Sequence, residues 1–151
     1  MSVKHDFPVD IQWSGGFQGV GTIKSDNEQL KVDFSVPTNF KGKGLGTNPE
    51  ELLTSAVAGC YSITFGIMAE SQKLPLAKIE VNSKGEVEHN GVKLEFKSIT
   101  LKPKVYLDSS ATDSQKELAE NLAHKADEHC LVSNALSDKV SITVEPEIIV
   151  G

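Results

Sequence analysis

The sequence predicts an α+β fold in which a mainly antiparallel sheet packs against one central helix. Three observations lead to this prediction. Residues 46–72 form a long apolar segment with a helix-start signal, segments of alternating apolar and polar residues flank it, and a second, amphipathic helical segment lies near the C-terminus. Strands grouped around only two long helices are typical of α+β folds with antiparallel sheets.

The central helix is predicted to begin at an N-cap signal. Asn48 can accept a hydrogen bond from the first turn, and Pro49 suits the first helical position because its missing N–H has no partner there. Glu50 and the glutamate after it place negative charge at the positive end of the helix dipole. The helix should end near Lys73, because Pro75 disfavours helical geometry in the residue before it.

Apolar residues go round this whole helix, which indicates a helix buried on most sides. They are Leu52, Leu53, Ala56, Val57, Ala58, Tyr61, Ile63, Phe65, Ile67 and Met68. One sheet and one further helix cannot cover such a helix, so we expect a partner chain over its remaining face. A membrane span would need about 20 predominantly apolar residues, and serines and threonines interrupt this segment. We therefore predict a core helix.

The remaining elements follow from period-two and helical patterns. Asn90-Gly91 is a strong hairpin signal between two long alternating segments. With neither repeat nor linker, residues 1–151 are predicted to form a single domain. The predicted strands are 8–14, 17–24, 29–36, 78–88, 92–107 and 139–150; the predicted helical segments after the central one are 113–128 and 130–136.

Composition excludes several classes of function. The chain has 151 residues, 38% hydrophobic and 24% charged, which is enough for a core without metal or disulfide support. A net charge of −6 argues against nucleic-acid or anionic-membrane partners, because no basic surplus exists to neutralise phosphates. The N-terminal residues lack the apolar core of a signal peptide, so a cytoplasmic location is expected. All fifteen basic residues are lysines.

Cys60 and Cys130 are the two cysteines, and either transient redox chemistry or plain burial would account for them. Cys60 lies in mid-helix, where it gains nothing from that helix's N-terminus and needs a cation or hydrogen-bond donors from elsewhere. Glu50 lies about 15 Å away along a straight helix, and its simplest role is capping. Cys130 follows a helix end beside His129, so we expect it to be the more accessible thiol.

Two other kinds of site are disfavoured. His124, His129 and Cys130 could suggest a metal, but the two histidines point to different helix faces and a fourth ligand is missing. We therefore predict no metal. The glycine-rich segment at residues 37–46 could suggest a phosphate cradle, but its spacing matches no phosphate-binding fingerprint. A flexible approach to the helix is the favoured interpretation.

Two motifs resemble the OsmC/Ohr family (osmotically inducible protein C and organic hydroperoxide resistance protein). They are GTNPEELL…AVAGCYS at residues 46–62 and HCLVSNAL at 129–136, and the order of elements agrees over essentially the whole chain. The resemblance implies an OsmC-like fold, with an intertwined homodimer whose sheets wrap paired central helices and two active sites at the interface.

The resemblance also implies a thiol peroxidase of the oxidative stress response. Cys60 would attack an organic hydroperoxide as a thiolate and become a sulfenic acid, and Cys130 would condense with it to a disulfide. An external dithiol reductant, of lipoyl type in the family, would then reduce that disulfide without any bound cofactor. Glu50 matches the family's acidic residue, which pairs with an arginine that stabilises the thiolate.

This chain departs from the family at that arginine, because it has none. Lys41 or Lys43 would have to supply the charge, beside Phe40 in the loop before the helix, as a flexible point charge instead of a planar fork. Leu131 is at a position where the family often has proline, and this difference is expected to have little effect. Two alternatives remain: a protein of the same fold that binds an apolar small molecule, and a scaffold with two buried thiols.

Overall fold

The computed structural model describes residues 2–151 and divides them into two compact units, residues up to Leu52 and Leu53–Gly151. The first holds β1 (Val9–Ser14), β2 (Val20–Ser25), β3 (Lys31–Phe34) and a short 3-10 helix (Thr38–Phe40), and helix α1 (Pro49–Ser71) begins in it. The second holds the rest of α1, then β4 (Leu76–His89), β5 (Leu94–Leu107), α2 (Asp113–Glu128), α3 (Leu131–Leu136), β6 (Ser141–Val144) and β7 (Glu147–Val150).

The first unit is an antiparallel meander in the order β1-β2-β3. Ile23 of β2 lies opposite Ile11 on one side and Val32 on the other. Strand β1 is exposed along its whole length, including its apolar side chains Val9, Ile11 and Trp13. The predicted alternation therefore gives three strands as expected, but β1 has no buried face in the single chain.

The glycine-rich segment is an ordered loop that bonds to itself. The buried hydroxyl of Ser35 donates to the Leu45 carbonyl at 2.8 Å and accepts from the Leu45 N–H at 2.7 Å. The N–H groups of Gly42 and Gly44 donate to the carbonyls of Pro37 and Val36, each at 3.0 Å. Since the loop uses these donors internally, they are not available to cradle a phosphate.

The start of α1 confirms the predicted N-cap. The Asn48 side-chain oxygen accepts the Glu51 N–H at 2.8 Å, which leaves Pro49 at the first helical position. The Glu51 carboxylate accepts from the Thr47 hydroxyl at 2.9 Å. One half of a capping box is thus present, with Thr47 supplying the second hydrogen bond.

Strand β5 is the centre of the sheet in the second unit. It pairs with β4 in an antiparallel hairpin, and β6 and β7 both pair with it in parallel. The hairpin turns at Asn90, whose side-chain oxygen accepts from the Lys93 N–H at 2.9 Å, and at Gly91 with φ +89°. The prediction of one terminal strand is wrong. Pro146, which has no N–H to donate, separates β6 from β7.

One hydrophobic core joins this sheet to α1 and α2. Four α1 side chains at four-residue steps are buried at 1% exposure or less, and alanines dominate the buried face of α2. The fully buried residues of α1 are Val57, Tyr61, Phe65 and Ala69; those of the other elements include Ile99, Leu101, Val105, Leu107, Ala119 and Ala123.

The expectation that α1 is buried on most sides does not hold for the single chain. Only the one stripe is covered, while Ile63 is 67% and Ile67 61% exposed. The reason is that β5 and α2 cover one side of α1, and its apolar residues extend beyond that side. By length and hydropathy α1 could cross a membrane. Its buried stripe, however, belongs to the hydrophobic core that it shares with the sheet and α2.

Tyr61 joins α1 to α2 by a polar contact inside the core. Its hydroxyl donates to the Ala123 carbonyl at 2.6 Å, and burial, with a smaller contribution from the Asp127 charge, raises the pKa of the phenol. Tyr61→Phe keeps the ring and removes this hydrogen bond, so we expect the free energy of unfolding to fall by about 1 kcal/mol. Urea denaturation measures it. Tyr106→Phe, which alters the partly exposed tyrosine of β5, should lower the free energy of unfolding less; an equal loss in both variants would contradict the role given to the Tyr61 hydrogen bond.

Candidate functional site

The structure brings the two cysteines together. Cys60 lies in the middle of α1 and is partly exposed, whereas Cys130 is the N-cap residue of α3 and has no exposed surface. Their thiols are within hydrogen-bonding contact, with Cys130 as the donor to the Cys60 sulfur. Both are free thiols. The connection from α2 to α3 therefore carries Cys130 onto the middle of the core helix.

Neutral donors surround the Cys60 sulfur. Burial by itself raises the pKa of this thiol, but hydrogen bonds from the Cys130 thiol and from the N–H groups of Val132 and Leu131 lower it, and the net pKa lies below the ordinary value. Hydrogen bonds to the charged form favour that form. The mid-helix cysteine thus obtains its donors from the start of a different helix, which sequence reasoning did not anticipate.

The Thr64 hydroxyl is a further, smaller influence that lowers the Cys60 pKa. It has one proton, which it donates to the Cys60 carbonyl at 2.8 Å, one helical turn back. The same proton cannot serve two acceptors fully. The backbone N–H groups, which have a fixed direction, are therefore the more dependable donors to the thiolate.

Cys130 has the opposite character. Burial raises its pKa, and its hydrogen bond to Cys60 raises it further, against weaker lowering by Ser133. The Ser133 N–H donates to the Cys130 sulfur at 3.5 Å. The expectation that Cys130 is the more accessible thiol is therefore wrong, because the first turn of α3 folds back over it. The pair comprises a partly exposed thiol of lowered pKa and a buried thiol of raised pKa.

The other predicted site residues belong to the first unit. Glu50 lies in the first turn of α1 and is half-buried; Phe40 ends the 3-10 helix, and Lys41 and Lys43 are exposed in the glycine-rich loop. None of the largest influences on the Cys60 pKa is a lysine. Their predicted roles at the thiolate stay predictions.

No group of three or more potential metal ligands occurs among residues 2–151. His124 instead lies 3.8 Å from the carboxylate of Glu120, one turn earlier on α2. His129 is the C-cap of α2. His124 therefore lies beside a carboxylate on the surface of α2, and His129 ends that helix.

Sequence reasoning missed the donors Leu131, Val132, Thr64 and Ser133. The Cys-x-x-Ser spacing at 130–133 was an available signal, because an N-cap side chain accepts the N–H of the third helical residue. The two N–H groups that meet Cys60 left no signal, since any residue but proline carries one.

Comparison with known proteins identifies the family. The family model described as OsmC-like protein matches residues 42–145, which include α1, both cysteines and strands β4 to β6 of the second unit. The chain belongs to the OsmC family. The resemblance seen in the two sequence motifs is therefore confirmed, as is the α+β fold.

Individual relatives of this OsmC-family chain agree with that assignment. It is 34% identical over 147 residues to the uncharacterized protein YmaD of Bacillus subtilis, covering 97% of both chains. It is 30% identical over 139 residues to the organic hydroperoxide resistance protein OhrB of the same organism, covering 92% of this chain and 96% of OhrB. An organic hydroperoxide resistance protein OsmC from Legionella pneumophila superposes with a TM-score of 0.76 at 24% identity, covering 95% and 99% of the two chains. Membership in this family is consistent with a role in peroxide resistance.

Proposed function

We propose that this OsmC-family protein is a thiol peroxidase that reduces organic hydroperoxides through Cys60 and Cys130. The observation that carries the proposal is the contact between an accessible thiol of lowered pKa and a buried thiol of raised pKa. A low-pKa thiol supplies the nucleophilic thiolate, and a neighbouring thiol resolves the oxidised product.

The reaction balances in three steps. The Cys60 thiolate attacks the terminal peroxide oxygen, the O–O bond breaks, and the products are Cys60 sulfenic acid and an alkoxide that takes a proton from water. The Cys130 thiol then attacks the sulfenic sulfur, which forms the Cys60–Cys130 disulfide and releases water. An external dithiol, for which a lipoyl-type molecule is the proposed class, returns two electrons and restores both thiols.

Neutral hydrogen bonding supports this chemistry in a chain without arginine. The lowered pKa of Cys60 is accounted for by the Cys130 thiol and by the N–H groups of Val132 and Leu131. A positive charge from Lys41 or Lys43, expected from the sequence, would lower this pKa further.

The working form is proposed to be a homodimer. The face of α1 that the chain leaves uncovered is apolar. It carries the exposed side chains of Ile63 and Ile67 and the small residues Ala56, Gly59 and Gly66. A side-chain carbon added at either glycine would meet no atom within 4 Å. Burying this face against a second copy would remove it from water, which is favourable.

The test is rapid mixing of the reduced protein with cumene hydroperoxide and, separately, hydrogen peroxide. We expect a fast oxidation phase with the organic peroxide, loss of two thiols per chain, and one intramolecular disulfide seen as a mass lower by two hydrogens. The alternative is a protein of this fold that binds an apolar small molecule, which the missing arginine favours. Absence of a fast phase with either peroxide would support that alternative and overturn the peroxidase.

A further inference from the structure

Ser133 has a hydroxyl with no assigned role. The residue is 3% exposed, and its hydroxyl oxygen has no hydrogen-bond partner of regular geometry among residues 2–151. A buried hydroxyl without a partner is uncommon, because leaving it unsatisfied costs free energy. The nearest group that would use it is the Cys130 sulfur, which the same residue already contacts through its N–H at 3.5 Å.

Ser133 also lines a polar cavity. This cavity of about 460 Å³ is open to solvent and is lined by Asp127, Ser133, Asn134 and Ser137 among others, all in the second unit. Cys130 does not line it and has no exposed surface. Ser133 therefore contacts the buried Cys130 sulfur and also lines a cavity that is open to solvent, although its hydroxyl oxygen is itself buried.

The difference in exposure decides which sulfur of a disulfide an external thiol can reach. Cys130 has no exposed surface within its own chain, and a partner chain could only bury it further. Cys60 is partly exposed. Because thiol–disulfide exchange needs access to the attacked sulfur, Cys60 is the sulfur attacked and Cys130 the leaving group.

We infer that Ser133 is the hydrogen-bond donor that stabilises the departing Cys130 thiolate during reduction of the disulfide. An external thiolate attacks the Cys60 sulfur, the Cys60–Cys130 bond breaks, and a mixed disulfide forms on Cys60. Cys130 leaves as a thiolate that accepts from the Ser133 N–H and hydroxyl, and is then protonated from solvent. The second thiol of the dithiol attacks the external sulfur of the mixed disulfide and releases the Cys60 thiolate.

This inference rests on the proposed redox pair but is tested without peroxide. Diamide oxidises the two thiols to the disulfide, and dithiothreitol then reduces it under pseudo-first-order conditions. The matched variants are Ser133→Thr and Ser133→Val, which have nearly the same shape and both keep the N–H, while only threonine keeps the hydroxyl. We expect the valine variant to be reduced about tenfold more slowly than the threonine variant, the effect of one hydrogen bond to a charged sulfur.

Two controls separate this role from general disturbance of α3. Ser137→Ala removes the neighbouring hydroxyl, which donates to the Asn134 carbonyl at 3.1 Å, and should leave the rate unchanged. If both β-branched variants fail to fold, Ser133→Ala, which removes one oxygen, is compared with wild type and should show the same slowing. Equal rates with and without the hydroxyl would overturn the inference.

The attacked sulfur is identified separately with 2-mercaptoethanol. The diamide-oxidised protein is treated briefly, quenched in acid and digested, and the mixed disulfide is located by peptide mass. We expect it on Cys60; a mixed disulfide mainly on Cys130 would contradict the direction of attack. Because peroxide appears in neither experiment, failure of the peroxidase proposal and failure of this inference give different results.

Discussion

Cys60→Ser is expected to abolish consumption of cumene hydroperoxide. Serine keeps a small side chain in mid-helix, but its hydroxyl is not ionised at neutral pH, so the nucleophile is lost while the fold is retained. Removal of a covalent nucleophile lowers turnover by several orders of magnitude, and we expect a fall of at least about 1,000-fold. Peroxide remaining in a coupled assay with dithiothreitol as reductant measures it.

Cys130→Ser gives the contrasting result that assigns the second role. It keeps the attacking sulfur and removes the resolving one, so one equivalent of peroxide should be consumed per chain, with the sulfenic acid left on Cys60. A sulfenic-acid probe such as dimedone should label that residue. If Cys60→Ser consumed peroxide as fast as wild type, the assignment of the nucleophile would be wrong.

Leu131→Pro is expected to raise the pKa of Cys60, because it removes one of the hydrogen bonds that favour the charged form of the thiol. The substitution suits its position. Residue 131 is the first of α3, where proline is favoured, and Cys130 before it has the extended backbone that a following proline requires (φ −78°, ψ 116°). What is lost is the N–H that donates to the Cys60 sulfur.

The pH dependence of Cys60 alkylation by iodoacetamide measures this shift. The thiolate is the reacting form, so the rate falls as pH drops through the pKa, and the midpoint should move upward in the proline variant. Leu131→Ala is the matched control: its side chain is 76% exposed, and alanine keeps the N–H. A midpoint that moved equally in both variants, or in neither, would show that this N–H does not set the reactivity.

Much of the fold followed from local sequence signals. Helix α2 has the predicted bounds, and Asn48 caps the start of α1 as expected. Asn90 and Gly91 form the predicted turn between β4 and β5. These features depend on neighbouring residues alone. Pro146 could have predicted the break between β6 and β7. The parallel pairing of both strands with β5 could not be predicted, because no local pattern indicates it.

The candidate site was predictable only in its sulfur atoms. The motifs identified Cys60 and Cys130, but the relative exposure of the two thiols was predicted in the wrong order. Exposure depends on how α3 folds over Cys130, a tertiary event without a local pattern. Leu131 was expected to change little; its N–H is one of the donors that lower the pKa of Cys60, which proline in that place could not provide.

The donors at Cys60 have a consequence for the conditions in which the protein can work. Attraction between an exposed ammonium and a thiolate is screened over about 8 Å at physiological ionic strength and over still shorter distances in concentrated salt. Hydrogen bonds from peptide groups in contact with the sulfur are hardly screened at all. The lowered pKa of the Cys60 thiol is therefore expected to persist in concentrated salt. The pKa of a thiol lowered by a mobile surface cation would instead rise there.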